Sequence, residues 1–158
     1  MNHDIDILVA DTTDHARVGE LIWQLMVELF PEEQAEFVKE TFISSAVDLL
    51  GRGERSWAFV AKIDGEIVAL LTLNECTAIY AGGLFGEISE LYVAPEHRSA
   101  GIGRRLLKAA NDFAARRGWP VLEVGAPRMP KWQRTLDFYE ANGFVVIGPR
   151  LERSVGRP

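Results

Sequence analysis

The apolar positions change period several times along the chain, and each change marks an element. Ile5, Ile7 and Val9 alternate with Asp6, Leu8 and Ala10 at the period of a strand, and the DTTD cluster that follows supplies helix N-caps. Val18, Ile22, Leu25 and Leu29 then recur at helical spacing as far as Phe30-Pro31. The proline suits the start of a second helix, with Glu32 and Glu33 at its positive end, and helical pattern continues to Gly51 with a break expected near Ser44-Ser45. SWAFVAKI and EIVALLTL are runs of strand formers joined by Asp64-Gly65, which predicts an antiparallel hairpin.

Beyond the hairpin, ECTAIYAGGLFGE carries glycines and no sustained period, so a loop or a bent strand end is expected there. ISELYV reads as a strand. From Gly101 to Arg117, Leu106, Leu107, Ala110, Phe113 and Ala114 make one apolar helical face closed by Gly118. VLEV is a further strand, Trp132 to Asn142 a helix with Gly143 at its C-cap, and FVVIG a last strand before a polar tail over 150–158. The order β, α, α, hairpin, β, α, β, α, β predicts an α+β class, with a mixed sheet covered by helices.

At 158 residues and 47% hydrophobic content the chain is long enough for one well-buried core, so a single domain over 1–158 is expected. A net charge of −6 disfavours unspecific binding to nucleic acid or to anionic membranes and mildly attracts cationic partners. Cys76 is the single cysteine and excludes an internal disulfide; the N-terminal MNHDIDILVA lacks the basic start and apolar run of a secretory signal, so a reducing cytoplasm is the expected compartment. No apolar stretch approaches the roughly 20 residues needed to cross a bilayer. His3, His15 and His97 show no metal-ligand spacing, and no metal is expected.

The candidate chemistry lies in ELYVAPEHRSAGIGRRLL, where Arg98, Gly101 and Gly103 form R-x-x-G-x-G between a strand and a helix. Glycine lets the backbone approach a ligand at positive φ, the amides from Ser99 to Arg104 can turn toward one centre, and the helix dipole favours an anion there. A pyrophosphate fits; a plain glycine-rich turn is the simpler alternative. A Walker loop would need G-K-[ST], whereas Arg104-Arg105 follow Gly103. A dinucleotide fingerprint would need a small residue where Leu106 stands, although Glu123 lies 123 − 103 = 20 residues on, the spacing of a ribose-binding acid.

ISELYVAPEHRSAGIGRRLL resembles motif A of the GNAT acetyltransferase superfamily, and TLDFYEANGFVVIG resembles its motif B. The resemblance is specific over residues 86–148. It implies a GNAT-like fold whose central mixed sheet splays between ISELYV and VLEV, and acetyl-coenzyme A as the co-substrate. Backbone groups of Leu91, Tyr92 and Val93 would hold the pantetheine arm, and the loop Arg98, Ser99, Ala100, Gly101, Ile102, Gly103 and Arg104 the pyrophosphate. The motif B asparagine common in the family falls at Trp132, which leaves cofactor contacts from that helix open.

Acetyl transfer to an amine requires a neutral amine, stabilisation of the oxyanion and a proton for the thiolate. The resemblance places Glu90 beside the thioester as the base, set against a strand glutamate paired with Arg98 or with a neighbouring chain; Glu87 and Glu75 are further candidates. Tyr139 matches the tyrosine that donates to sulfur, and a backbone amide near Leu91 would meet the oxyanion, a donor worth roughly 3 kcal/mol. Cys76 reads as structural. The acceptor would be met by Phe30–Phe42, Glu75–Glu87 and Arg128–Arg134. Glu32, Glu33, Glu36, Glu75 and Glu87 with Phe37, Tyr80 and Phe85 suit a small cationic amine, whereas Arg128, Lys131 and Arg134 suit an acceptor with a carboxylate. A small primary amine is thus the expected partner and a homodimer is compatible with the family; a non-catalytic acyl-coenzyme A binding module and an enzyme acting on protein or peptide amines are the alternatives.

Overall fold

The computed structural model describes residues 4–128 and 131–156, which fall into two compact units, Met1–Val124 and Gly125–Pro158. His3, Met129 and Pro130 lie outside the described residues.

The first unit is a five-stranded open sheet in the order β1-β2-β3-β4-β5, with β1 Ile5–Val9, β2 Ser56–Ile63, β3 Glu66–Ala78, β4 Gly83–Val93 and β5 Leu122–Val124. The first four strands pair antiparallel, and β5 joins β4 in parallel, so the sheet is mixed and the class is α+β. Helices α1 His15–Leu29 and α2 Lys39–Arg52 cover one face and α3 Ile102–Arg117 the other. On the α1 face, Val18 and Leu21 pack with Val60, Leu70 and Tyr92. On the α3 face, Phe113 and Trp119 meet Trp57 and Phe59. Each fully buried leucine contributes about 1.5–3 kcal/mol, and Leu70, Leu71 and Leu73 lie side by side in β3.

Several elements differ from the sequence reading. Asp14 stands at the N-cap of α1, but its carboxylate accepts from the Asp11 amide and from Lys62 Nζ and leaves the helix amides uncapped. The stretch beginning at Pro31 is a 3-10 turn, Pro31–Glu36, and α2 runs unbroken through Ser44, whose hydroxyl donates to the Glu40 carbonyl one turn earlier. Glu75–Ala78 and Gly83–Glu87, where a loop or a bent strand end is expected, are strand: Gly82 at φ 75° and Gly83 at φ 129° make the tip, and Gly86 stands within β4.

In the second unit, α4 Gln133–Ala141 ends with the Phe144 amide donating to Tyr139 O and the Gly143 amide to Glu140 O, Gly143 standing at φ 91°. FVVIG does not form the expected strand. Val145, Val146 and Ile147 are exposed, and this unit has no other strand among its described residues for them to pair with.

Candidate active site

The register of β3 against β4 decides which side chains meet. Thr72 faces Glu90 and Leu73 faces Ile88, so Ser89 is an extra residue, a β-bulge. The slip puts Ser89 and Glu90 on the α1 face with Thr72, Asn74 and Tyr92, while Ile88 turns to the α3 face with Leu73. Glu90 therefore shares a face with Tyr92 and not with Ile88.

Glu90 does not pair with Arg98. Its carboxylate accepts a hydrogen bond from the Thr72 hydroxyl, and its amide donates to the same Oγ1 at 3.0 Å. Burial pushes the Glu90 carboxyl above the ordinary carboxylate range and the charge of Glu87 adds to this, while the Thr72 bond opposes it. Glu87 lies three residues away and, because of the bulge, on the same face, opposite Glu123 of β5. Tyr80 donates to Glu123 at 2.6 Å, and its ring meets Phe85 at 6.0 Å. Burial, with the charges of Glu87, Glu123 and Glu75, pushes the Cys76 thiol up, so it stays protonated and suits a structural place better than a nucleophile's. Glu75 is on the opposite face, held by Arg117 and by Trp119 Nε1 at 3.2 Å, which removes it from the candidates for the base. Glu32, Glu33 and Glu36 are exposed on the 3-10 turn.

Next to this face the sheet opens. Among the described residues β4 and β5 pair from Gly86 to Ile88, and β4 runs on to Val93 with no strand paired on that edge. Gly86 is required where the strands meet, since a Cβ there would stand 2.5 Å from Leu122 Cδ2 and 2.7 Å from Trp119. Glu90 and Ala94 direct their amides toward β3, to Thr72 Oγ1 and Val68 O. By strand alternation the Tyr92 backbone also turns inward, and the polar groups of Leu91 and Val93 turn to the open edge. Tyr92 thus offers no backbone group there, and the Val93 carbonyl already accepts from Arg98 Nε at 2.8 Å.

The loop after β4 holds Ser99 at φ 68° and Gly101 at φ 76°, and α3 begins at Ile102, which is buried. A Cβ on Gly101 would meet nothing within 4 Å, so the space beside its backbone is open to a ligand. Ala100 is exposed, and Gly103 and Arg104 lie in the first turn of α3, whose leading amides have no partner within the helix. The Arg98 guanidinium, expected at the pyrophosphate, instead grips Glu28 of α1 through both Nη atoms at 2.7 Å. Sequence reading also missed Thr72. Its signal was a lone hydroxyl in the apolar run EIVALLTL.

In the second unit Tyr139 is buried between Phe138 and Phe144, with both ring centroids at 5.6 Å. Burial pushes its phenol up to about 12, so it stays protonated at neutral pH. Trp132 caps the start of α4 and carries Lys131 Nζ 5.3 Å from its ring centroid. Among the described residues no cluster of metal-ligating side chains occurs, and no helix is long and apolar enough to cross a membrane.

A model of the acetyltransferase (GNAT) domain matches residues 54–146. An uncharacterized N-acetyltransferase of Archaeoglobus fulgidus is 37% identical over 81 residues, 51% of this chain; the chain thus spans only about half, 54%, of that relative's length. Among solved structures, a ribosomal-protein-alanine N-acetyltransferase from Brucella melitensis biovar Abortus superposes with TM-score 0.73 at 22% identity, covering 96% of this chain and 100% of that one. An aminoglycoside acetyltransferase from an uncultured soil metagenomic sample, in complex with trehalose, superposes with TM-score 0.75 at 23% identity, covering 98% and 97%.

Proposed function

The chain belongs to the GNAT acetyltransferase family, and from that membership we propose that it transfers an acetyl group from acetyl-coenzyme A to the primary amine of a small cationic molecule by direct attack of the amine. The observation that carries this reading is the opened β4 edge running directly into a glycine loop at a helix N-terminus, beside a face that bears Glu90 and Glu87.

Acetyl-coenzyme A supplies an acetyl group activated as a thioester. Leu91 and Val93 bind the pantetheine arm through the groups directed to the open edge, and the amides of Ser99–Arg104 bind the pyrophosphate, with Arg104 as the added cation. The Leu91 amide, at that edge, meets the negative charge that develops on the carbonyl oxygen. Glu90 takes the proton of the incoming ammonium, and a carboxyl held above its ordinary range by burial is the better matched to that task. Tyr139 gives its phenolic proton to the departing thiolate. Glu87 and Glu123, with the rings of Tyr80 and Phe85, attract the cationic acceptor. The aminoglycoside acetyltransferase among the similar structures supports such an acceptor, whereas the ribosomal-protein-alanine enzyme supports the second reading, a peptide terminus.

Competition among matched panels at fixed acetyl-coenzyme A decides between them. Polyamines and aminoglycosides are expected to exceed acidic and peptide-terminal amines in kcat/KM by about tenfold, the effect of roughly 1.4 kcal/mol of charge recognition. The reverse preference overturns the cationic acceptor.

A further inference from the structure

Arg98 is the arginine of the R-x-x-G-x-G loop, yet its side chain is directed into the protein. Nε donates to the Val93 carbonyl at 2.8 Å. Nη1 and Nη2 donate to the two oxygens of Glu28 at 2.7 Å each, the parallel fork geometry of a strong pair. The guanidinium carbon stands 5.6 Å from the centroid of the Tyr92 ring, and the Tyr92 hydroxyl donates to Gln24, one helical turn before Glu28 on α1. Three of the five guanidinium N–H groups are therefore spent on the protein, the charge is met by Glu28, and one face is stacked. The bonds fasten the end of β4, the first residue of the loop and the last turns of α1 to one another. With Ser99 next in the chain at φ 68°, a conformation unfavourable for a side-chain-bearing residue, the loop needs such an anchor to hold its conformation.

We propose that Glu28 and Arg98 are positioning residues, a strut that fixes the loop geometry for the pyrophosphate, and that Arg98 does not serve as the cation facing the phosphates. This rests on the cofactor reading of the loop. The two roles differ in sign. If Arg98 were a phosphate ligand, removal of Glu28 would free its charge and tighten coenzyme A binding; for a strut, removal of either partner loosens the loop and weakens binding.

Calorimetry on the intact protein with coenzyme A measures the sign in Glu28→Gln, in Arg98→Lys, which keeps the charge and loses the fork, and in the double variant. Each single variant is expected to raise Kd by about fivefold, the scale of one half-exposed ion pair, and the double variant no further than either. The rate of Glu28→Gln with acetyl-pantetheine as donor, which lacks the phosphates, is expected to stay at the wild-type value, whereas a general loss of fold lowers both. Unchanged or tighter coenzyme A binding in Glu28→Gln overturns the strut. Amide exchange at 99–101 in the ligand-free protein gives an independent measure: faster exchange in Glu28→Gln supports the strut and unchanged exchange refutes it. A wild-type protein that fails to bind coenzyme A would overturn the cofactor reading, and the exchange result then decides the strut by itself.

Discussion

Replacing Thr72 by valine keeps the branched shape of a buried β3 side chain and removes the hydroxyl that donates to Glu90. That bond is the force opposing the upward push that burial and Glu87 exert on the carboxyl, so its loss leaves Glu90 protonated to a higher pH. A hydrogen bond to a charged group contributes about 1.5–3 kcal/mol, and the lower end applies here because Glu90 is only partly shielded from solvent. At 1.4 kcal/mol per factor of ten, the fraction of ionised Glu90 on the acid side falls about tenfold. The acceptor's own deprotonation is the same for both proteins, so the ratio of wild-type to variant kcat/KM isolates the effect. That ratio is expected to be about ten at acid pH and to approach one at alkaline pH. Thr72→Ser, which retains the donor, is expected to follow the wild type. A loss in Thr72→Val that is equal at every pH would refute Glu90 as the base, because a packing defect has no reason to titrate.

Tyr139→Phe is expected to lower kcat by about 10²-fold with coenzyme A affinity unchanged; because the phenol stays protonated to about 12, the ratio to wild type stays flat from about pH 6 to 9, and a wild-type rate returns Tyr139 to a packing role. Glu90→Gln has a signed effect on stability. The folded state holds this carboxyl above its unfolded value, so stability from it is fullest below the unfolded pKa and is lost as pH rises through the folded one. The glutamine variant is therefore expected to melt about 2–4 °C higher at neutral pH, the effect of about 1 kcal/mol, and to converge on the wild type in acid, as thermal scans at both pH values would show. Gly101→Val places a branched side chain at φ 76° and fills the open space beside the loop, so coenzyme A affinity is expected to fall at least about tenfold for a stability loss of about 1–2 kcal/mol, read by calorimetry beside a thermal scan.

The elements that announce themselves in the chain are those set by local rules. The Asp64-Gly65 turn, the apolar face of α3 and the glycine loop before it all follow from neighbours within a few residues, and they appear where the pattern puts them. What pattern could not give depends on register or on distant partners. The bulge at Ser89 reverses alternation in the middle of β4, and this alone separates Glu90 from Ile88 and sends Glu75 and Glu87 to opposite faces. Arg98 could be placed in a phosphate loop from its motif, but the carboxylate that holds it is 70 residues away in sequence. FVVIG has the composition of a strand, and composition alone supplies no pairing partner.

Acetyl-coenzyme A carrying a deuterated acetyl group, incubated with the protein and one polyamine, tests the proposed reaction most directly when free thiol and acceptor mass are followed together. One labelled acetyl group on the amine for each thiol released, with none left on the protein, is the expected result. Thiol release without label on the amine, label retained on the protein, or coenzyme A binding with no turnover across the amine panels would contradict direct acetyl transfer.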